Sequence, residues 1–337
     1  MISRHSLIAN AAYHDLLQSL QDEAVSSITG TPTREMRTGR AYWYDVHRVG
    51  TTVRKAYIGD DTPELSRRLE QFRDLAKDRQ ARSAVRTRLV RTLRGEGMLG
   101  ADASIGSLLQ TTERLRVYRL GGTLVGTQAF RLYEGELGTR LSGQDLAQTG
   151  DIDIAQFERL SFVLGDKVES SLADSFKAFD FAPIPSINHR SVWRWRQTKS
   201  NTLVEFLTPS FRAEEDIREL PALGVAAQSL LFLNYLIAEP IKAAALYRSG
   251  VLVQIPRPEA YAVHKLIVAN RRAGADRLKA RKDQAQAKLL IEALAEDRPD
   301  DLREAYEDAL SRGPQWRALI EATLNRMPET AAQLAAL

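Results

Sequence analysis

The stretch from Arg119 to Ile154 constrains the fold more than any other part of the chain. It begins with a short apolar strand, Thr123 to Val125, which ends at Gly126-Thr127, and a helical segment from Gln128 to Leu137 follows. Glycine at a strand-to-helix turn lets the backbone approach a ligand, and the free N–H groups of the helix N-terminus attract an anion. The pattern therefore predicts a phosphate-binding turn at Gly126-Thr127.

An acidic pair closes the same stretch in the sequence TGDIDI. Residues two apart on a strand point to one face, so Asp151 and Asp153 project together while Ile152 and Ile154 enter the core. Neighbouring carboxylates repel each other unless a cation lies between them, and hard divalent ions prefer such oxygen ligands. A phosphate-binding turn followed by a carboxylate pair is typical of phosphoryl or nucleotidyl transfer.

The order strand, Gly-Thr, helix and Asp-x-Asp resembles the signature of the DNA polymerase β-like nucleotidyltransferase superfamily. The wording VGTQAF and TGDIDI is most similar to bacterial stand-alone members such as the AbiEii-type toxins. The resemblance implies that Asp151 and Asp153 hold Mg²⁺ or Mn²⁺ and that Gly126 and Thr127 hold the phosphates of an NTP. Since Gly121-Gly122 precedes the strand, the sequence leaves open which glycine pair contacts phosphate, and the adjacent helix favours Gly126-Thr127.

The superfamily also has a third acidic residue on a later strand, and the matching position here is Glu205 in TLVEFLTP. Relatives more often have Asp there, so Glu205 departs from the commoner pattern. The alternative is an edge-strand residue that faces water and pairs with Arg194 or Arg196 across a hairpin. A charge within an otherwise apolar strand needs a partner. We therefore expect Glu205 to complete the catalytic and metal-binding set.

The resemblance extends more loosely to Val251 through Leu294, where a strand, a proline and a lysine-bearing helix follow one another. It implies that a central lysine contacts the triphosphate and that downstream basic residues face the nucleotide, with Asp283 orienting one of the cations. A single lysine on an apolar helix is otherwise a surface residue whose stem packs on the protein. The implied nucleotide-binding cations are Lys265, Arg271, Arg272 and Lys282.

Composition excludes several other classes of protein. The chain of 337 residues has no cysteine, which excludes disulfides and thiolate metal sites. The N-terminus lacks an apolar signal-peptide core, and the longest apolar run, Ser229 to Ile237, is too short to span a membrane. Five scattered histidines do not form a zinc pattern. We therefore expect a cytoplasmic protein with no membrane contact.

A basic segment near the N-terminus raises a second hypothesis. The run RQARSAVRTRLVRTLR has no acidic residue, and Arg79, Arg82 and Arg86 share one helical face. Together with the aromatic run around Tyr42, Trp43 and Tyr44, this face could contact nucleic acid. The alternatives are a solvated helix face and the buried face of a small sheet. The second hypothesis is thus a catalytically silent nucleotidyltransferase fold that binds nucleic acid or a partner.

Local patterns predict the order of helices and strands. Helices are expected at Ser6–Ser26, from Thr62 to about Arg94, across Ala222–Tyr247, at Ala260–Arg272 and in the segment after it, and twice between Asp297 and Leu337. Strands are expected on both sides of Val49-Gly50-Thr51, at Leu115–Leu120, Thr123–Val125, Ser191–Arg196, Thr202–Leu207 and Val251–Ile255. Breaks are expected at Gly30–Gly39 and Asp180–Asn188, and the polar segment Gly138–Gly150 could cover a bound nucleotide.

These patterns predict an α+β or α/β fold: a nucleotidyltransferase mixed-sheet core with an N-terminal α+β module and a C-terminal helical domain. The expected boundaries are 1–105, 106–215 and 216–337. The expected reaction moves a nucleoside monophosphate from an NTP to an acceptor hydroxyl on an RNA end, a protein or a small molecule. A role as a toxin or defence protein is compatible with that chemistry. The sequence leaves the base, the acceptor and the oligomeric state open.

Overall fold

The computed structural model describes residues 3–26, 28, 30–49, 52–71, 78–141, 150–164, 166–168, 171–185, 191–199, 202–212, 214–272 and 276–337. Within these ranges the protein combines helices with a small antiparallel sheet, a mixed central sheet and a two-stranded ribbon. The predicted mixed α and β architecture is confirmed.

The N-terminal part contains helix α1 (Leu7–Ser26), strands β1 (Thr31–Arg37), β2 (Arg40–Val49) and β3 (Thr52–Asp60), and helices α2 (Pro63–Glu70) and α3 (Arg79–Gly95). The strands form an antiparallel sheet in the order β1-β2-β3. The predicted break at 30–39 was therefore wrong, because β1 pairs with β2 throughout its length and only Thr38-Gly39 turns. The single helix predicted to reach Arg94 is also wrong, because α2 ends at Glu70 and α3 begins at Arg79.

The central sheet is built from short strands that lie between helices. Its main path has the order β4-β5-β8-β10-β9, while β7 pairs with both β6 and β8. Strand β5 runs antiparallel to β4 and parallel to β8, and β10 is also parallel to β8. The strands are β4 (Thr123–Val125), β5 (Ile152–Ala155), β6 (Phe181–Pro183), β7 (Arg194–Gln197), β8 (Leu203–Pro209), β9 (Ile217–Leu220) and β10 (Val225–Leu230); the helices between them are α4 (Ala103–Arg114), α5 (Gly126–Leu137), α6 (Glu158–Val163) and α7 (Leu172–Lys177).

Two predictions in this region were wrong. Residues 115–120 form successive turns rather than a strand, and Arg116 has a positive φ of 64° that no strand residue adopts. The segment Phe181–Pro183, predicted as loop, pairs with β7. The predicted strands at Thr123, Ser191 and Thr202 are confirmed with small shifts of their ends, and β7 pairs antiparallel to β8 as expected.

The C-terminal part holds a ribbon and a group of helices. It comprises α8 (Leu233–Leu236), β11 (Ile241–Ala245), β12 (Val251–Ile255), α9 (Pro258–Arg272), α10 (Arg277–Asp297), α11 (Pro299–Ser311), α12 (Pro314–Leu324) and α13 (Pro328–Ala335). The helix predicted across Ala222–Tyr247 was wrong, because that apolar run contains β10, α8 and β11. The last 41 residues form three helices instead of two, since Pro328 begins another one after Met327.

One hydrophobic core connects these parts. It joins Tyr44 of β2, Leu124 of β4, Phe206 of β8 and Leu266 of α9 in a single cluster of buried side chains. In a second cluster of buried side chains, α1 and α3 pack against the β11–β12 ribbon. The backbone N–H of Ala244 in this ribbon donates to the hydroxyl of Tyr13 in α1 at 3.1 Å. The position of the N-terminal part is therefore set by direct packing against the rest of the chain.

The basic face of α3 is turned toward α1. Arg86 is only 4% exposed, its guanidinium lies 3.5 Å from Glu23, and Arg82 approaches the same carboxylate at 3.9 Å. Glu23 thus supplies counter-charge that is absent from the helix itself. The prediction that Arg86 contributes to a nucleic-acid-binding stripe is wrong because its side chain is buried, and the side chain of Arg79 lies outside the described residues.

The aromatic residues of the small sheet are mainly core residues. Tyr42, Tyr44 and Tyr57 are buried and make edge-to-face contacts, while Trp43 donates a hydrogen bond to Asp61 at 2.8 Å. Of the two interpretations of these aromatics, the buried sheet face is therefore the one observed. Among the helices in the described ranges, none combines the length and apolar character needed to cross a bilayer.

Candidate active site

The turn between β4 and α5 is shaped by a glycine. Gly126 adopts a φ of 65°, and a Cβ added to it would collide with the carboxylate of Asp153. Only glycine satisfies both conditions, because other L-residues are strained at this φ and also carry a Cβ. The N-cap residue of α5, Val125, makes no side-chain capping hydrogen bond, and Gly126 and Thr127 are partly exposed beside otherwise buried neighbours. The helix N-terminus is therefore open toward an anion at the edge of the carboxylate group.

The sheet register brings the acidic residues together. Asp153 is paired with Val125 of β4 on one side and with Glu205 of β8 on the other. Paired residues on neighbouring strands project to the same face, so both carboxylates point to one side of the sheet. Asp151 lies two residues before Asp153 and accepts a hydrogen bond from the backbone N–H of Leu203 at 3.2 Å. The three acidic residues predicted from the sequence thus lie on, or directly before, the two neighbouring strands β5 and β8.

Glu205 does not lie on a sheet edge. Strand β8 has β5 on one side and β7 and β10 on the other, so the alternative of an edge-strand residue is wrong. Arg194 is its partner in the antiparallel register with β7 and attracts the carboxylate electrostatically. No salt bridge to Glu205 is formed within the described residues. Arg194 therefore attracts the Glu205 carboxylate without forming a salt bridge to it.

The electrostatics of this cluster are those of crowded carboxylates. Burial raises the pKa of Asp153 to about 7, repulsion from Glu205 and Asp151 adds to the shift, and Lys265 and Arg272 oppose it. Burial also raises the pKa of Glu205, where Asp151 adds repulsion and Arg194 and Lys279 attract. Each shift is a free-energy penalty for the ionised form. A cation at the cluster would relieve this penalty.

Basic side chains from α9 and α10 face the cluster from the helical side. Lys265 is buried and its Nζ lies 2.5 Å from Oδ1 of Asp283, while Arg272 donates to Oδ2 of the same carboxylate at 2.8 Å. Burial lowers the pKa of Lys265 although Asp283 attracts the ammonium group. The geometry agrees with the expectation that Asp283 orients cations, because one buried carboxylate holds both groups. Asp153 feels the charge of both Lys265 and Arg272.

The remaining predicted cations differ in position. Lys282 is half-buried, and burial together with repulsion from Lys265 lowers its pKa, whereas Asp283 and Asp151 attract it. Arg271 instead donates to Glu215 at 2.8 Å and lies over the ring of Phe232. Lys265, Arg272 and Lys282 thus lie near the acidic cluster. Arg271 instead contacts Glu215 and Phe232. A nucleotide-binding role for Arg271 stays a prediction.

Two residues at the site were missed by sequence reasoning. The hydroxyl of Tyr261 donates to the carbonyl oxygen of Gly126 at 2.8 Å and contacts Oε1 of Gln286 at 3.2 Å. Its ring also lies 5.1 Å from Nζ of Lys265. Lys279 at the start of α10 attracts Glu205. Tyr261 follows the Pro258-Glu259 helix opening, but no sequence pattern signals that its hydroxyl reaches a turn more than a hundred residues earlier.

His264 is buried beside Lys265, and burial lowers its pKa to about 3, so its ring is neutral at physiological pH. The predicted nucleotide-covering segment lies largely outside the described residues, because 142–149 are not among them.

The donor set fits a hard divalent cation by its chemistry. Asp151, Asp153 and Glu205 offer only carboxylate oxygens, which magnesium and manganese prefer, and their mutual repulsion favours binding of positive charge. In the described ranges, no three His, Asp or Glu side chains have already converged into a metal centre. The residues therefore match such an ion in type and register.

The comparison with known families agrees with this arrangement. Residues 103–311 match the model of a nucleotidyltransferase family. The matched segment contains the glycine turn, all three carboxylates and the basic residues of α9 and α10. The chain belongs to this nucleotidyltransferase family. The assignment made from Gly-Thr and Asp-x-Asp is thereby confirmed at the level of the superfamily, and the family supports transferase activity on a nucleotide substrate.

One solved structure is similar to the chain. It is the crystal structure of an antigenic nucleotidyltransferase-like protein from Paracoccidioides brasiliensis, with 12% sequence identity and a TM-score of 0.37 over 70% of this chain and 94% of that chain. No curated protein matches the chain closely enough to count as a relative. The family match alone therefore carries the assignment.

Proposed function

We propose that the protein is a metal-dependent nucleotidyltransferase that moves a nucleoside monophosphate from an NTP to an acceptor hydroxyl. The observation that carries this proposal is the sheet register, which aligns Asp153 with Glu205 on one side and with the strand leading to Gly126 on the other. A carboxylate cluster is thereby adjacent to an uncapped helix N-terminus. This combination serves a reaction that needs both a hard cation and a phosphate site.

The metal site of this proposal consists of Asp151, Asp153 and Glu205, which would hold one or two Mg²⁺ or Mn²⁺ ions. When bound, such an ion supplies Lewis-acid stabilisation of the charge that develops on the phosphate oxygens. The carboxylates themselves orient the site, because β5 and β8 fix their backbones in one register. Arg194 and Lys279 limit the net negative charge around Glu205.

The phosphate groups of the NTP would contact the turn and the helices. The backbone N–H groups of Gly126 and Thr127 and the Thr127 hydroxyl would donate to the phosphates. Lys265, Arg272 and Lys282 would offset charge on the leaving pyrophosphate, with Asp283 holding the first two in place. Because these groups are oriented before substrate arrives, little reorganisation is needed when charge develops.

The reaction balances without a further reactant. The oxygen of the acceptor hydroxyl forms a bond to the α-phosphorus, and the bond from that phosphorus to the bridging oxygen breaks as pyrophosphate leaves. The acceptor hydroxyl loses its proton to the solvent. The acceptor belongs to one of three classes, an RNA end, a protein hydroxyl or a small molecule, and the experiment below distinguishes them.

The wider biology is part of the same proposal. The wording VGTQAF and TGDIDI supports a relationship to AbiEii-type toxins, and with it a cytoplasmic toxin or defence role. This role adds no chemistry to the site. It predicts that expression in a heterologous bacterium slows growth and that Asp153→Asn removes the effect.

The direct test is transfer of label from each of the four α-³²P-labelled NTPs into RNA, protein and small molecules of a bacterial lysate, with Mg²⁺ or Mn²⁺. We expect label in one discrete product class, dependent on the metal. Asp153→Asn should reduce transfer by about a hundredfold or more, because it removes a charged ligand without changing side-chain size.

The matched control is Asp174→Asn, since Asp174 is an exposed carboxylate whose partner is Lys177. Full activity in the control and loss in Asp153→Asn would locate the chemistry at the cluster. Transfer that survives Asp153→Asn would reject the site. Absence of label from folded protein that still binds nucleic acid would support the silent binding module instead.

A further inference from the structure

A cavity of about 990 Å³ lies away from the carboxylate cluster, between the N-terminal part and the central sheet. Residues of α1, of the small sheet, of α2 and of the β11–β12 ribbon line it, and none of Asp151, Asp153, Glu205 or Gly126 does so. Its volume is at the upper end of the range for pockets that enclose a small organic molecule. The cavity is therefore a second space that the proposed transfer reaction does not use.

A lysine marks the polar floor of this cavity. Nζ of Lys242 donates to Oε1 of Gln254 at 2.8 Å, and Nε2 of Gln254 donates to the hydroxyl of Thr123 at 3.0 Å. Burial lowers the pKa of Lys242 to about 8, and repulsion from Arg119 adds to the shift while Asp60 opposes it. The ammonium group is therefore mostly charged at neutral pH. A half-buried charge of this kind gains stability from an anionic partner.

The acidic residues of the lining already have partners. The carboxylate of Asp60 accepts from the hydroxyl of Tyr57, Glu64 pairs with Arg68 at 2.8 Å, and Glu136 pairs with Arg298 at 3.1 Å. Burial raises the pKa of the fourth, Glu113, and Arg119 attracts it. Two of the four acidic residues thus form ion pairs, with Arg68 and Arg298.

The lining of the cavity contains more basic residues than acidic ones. Within the described ranges no salt bridge engages Lys242, Arg40 or Arg159, although all three line the cavity. Lys242 is half-buried at the floor, whereas Arg40 and Arg159 are exposed. The surplus of positive charge favours an anion.

The rest of the lining is apolar and aromatic. Tyr42 and Tyr57 contribute buried rings, and Leu160, Ile241 and Val253 contribute aliphatic surface. A ligand that fills this space needs an apolar body as well as an anionic group, because an inorganic ion would leave the apolar surface uncovered.

We propose that this cavity is a binding site for a small organic anion with an aromatic or aliphatic body, whose anionic group contacts Lys242. The site is separate from the proposed nucleotide site, and its test does not require transferase activity. The ligand chemistry is a single carboxylate, sulfonate or phosphate ester attached to an apolar body.

The test uses two fluorescent probes that share one apolar body. The anion 8-anilinonaphthalene-1-sulfonate and the neutral N-phenyl-1-naphthylamine are titrated against the full chain at pH 7. We expect saturable binding of the anion at one site, tighter than binding of the neutral probe. Lys242→Met should weaken the anion about tenfold or more, because it removes a charge-assisted hydrogen bond, and should leave the neutral probe unchanged.

Two further variants keep the test interpretable. Arg159→Glu changes an exposed residue at the lining, so the fold is retained, and it should weaken the anionic probe alone. Lys177→Met removes an exposed lysine whose partner is Asp174, and should change nothing. Equal affinities for the two probes, or anion binding that neither Lys242→Met nor Arg159→Glu affects, would overturn the proposal. Thermal melting by circular dichroism checks that each variant is folded.

Discussion

At the scale of single residues, Gly126 connects the two halves of the proposed site. Its backbone turns the chain from β4 into α5, and its missing Cβ leaves room for the carboxylate of Asp153. The proposed phosphate-binding turn and the acidic pair, which are separate motifs in the sequence, are therefore in direct contact. A substitution at either position changes both.

The glycine requirement can be tested with a matched pair of variants. Gly126 and Gly224 share a φ of 65°, but nothing lies within 4 Å of a Cβ built on Gly224. We expect Gly224→Ala to lower the free energy of unfolding by about 1–2 kcal/mol through backbone strain and to retain transfer activity. We expect Gly126→Ala to lower the free energy of unfolding through the same backbone strain. It should also displace the carboxylate of Asp153, so that transfer is lost.

The measurements are urea unfolding and the labelled-NTP assay. Equal activities of the two variants would show that contact between Gly126 and Asp153 is unimportant for the reaction.

The raised pKa of Asp153 predicts how magnesium and pH act together on stability. Its folded pKa of about 7 lies above the value of about 4 expected for an unfolded chain, so the folded state binds the extra proton between these values. The contribution of this group to stability is thus present below about pH 4 and is lost as pH rises through about 7. Metal binding requires the ionised carboxylate and should compensate above that pH.

We therefore expect Mg²⁺ to raise the melting temperature more at pH 8 than at pH 5. A metal concentration one hundred times its Kd contributes about 2.7 kcal/mol. Differential scanning fluorimetry with Mg²⁺ at both pH values measures the effect, and Asp153→Asn should reduce its pH dependence, since Glu205, which also has a raised pKa, remains among the proposed ligands. An equal response to Mg²⁺ at both pH values in the unmodified protein would contradict the assignment of Asp153 as a ligand.

At the scale of helices and strands, the site was more predictable than its surroundings. Gly126-Thr127 form the predicted strand-to-helix turn, and Asp153 and Glu205 lie on predicted strands, because turn chemistry and two-residue periodicity are local properties. The errors concern apolar runs. Ala222–Tyr247 was interpreted as helix, and buried strands of a mixed sheet cannot be distinguished by periodicity from a buried helix.

The particular contacts made by α9 and α10 could not be predicted for a different reason. The sequence predicted that Asp283 orients a cation, but which cation it binds depends on how the two helices pack against each other. The hydrogen bond from Tyr261 to Gly126 likewise joins residues 135 positions apart. Such contacts follow from tertiary packing, which no local sequence pattern contains. The sequence could therefore identify the basic helix but not the residue that attaches it to the turn.

The attachment of α9 to the glycine turn can be tested by removing one hydroxyl. Tyr261→Phe removes a hydroxyl donor from the carbonyl oxygen of Gly126 and should lower the free energy of unfolding by about 0.5–1.5 kcal/mol. Because the turn is then less well positioned, we also expect a higher KM for the NTP in the transfer assay.

Tyr133→Phe is the matched control, because Tyr133 is equally buried, its ring centroid lies 5.2 Å from that of Tyr261, and its hydroxyl donates to Pro256 instead. We expect Tyr133→Phe to lower the free energy of unfolding by a similar amount and to leave the KM for the NTP unchanged. A KM that rises equally in both variants would indicate general loosening rather than a specific role of Tyr261.

At the scale of the whole molecule, the proposed chemistry depends on parts that are distant in the sequence. The carboxylates come from β5 and β8, the basic groups come from α9 and α10, and one hydrophobic core continues from Tyr44 to Leu334. The predicted division at 105 and 215 remains untested. However, β9 and β10 lie after residue 215 and belong to the same sheet as the carboxylates.

This continuity predicts that the segment 106–215 does not fold alone. Without β10, residues Leu207 to Pro209 of β8 lose their parallel partner, and without α9 the buried ring of Phe130 loses its stacking contact with Tyr261. The apolar surface left exposed removes the hydrophobic contribution on which a small domain depends. We expect the isolated segment to lack a cooperative thermal transition by circular dichroism, whereas the full chain shows one. A sharp transition of the fragment, with strand content retained, would show that the predicted core is an independent domain and that the helices only add to a preformed acidic site.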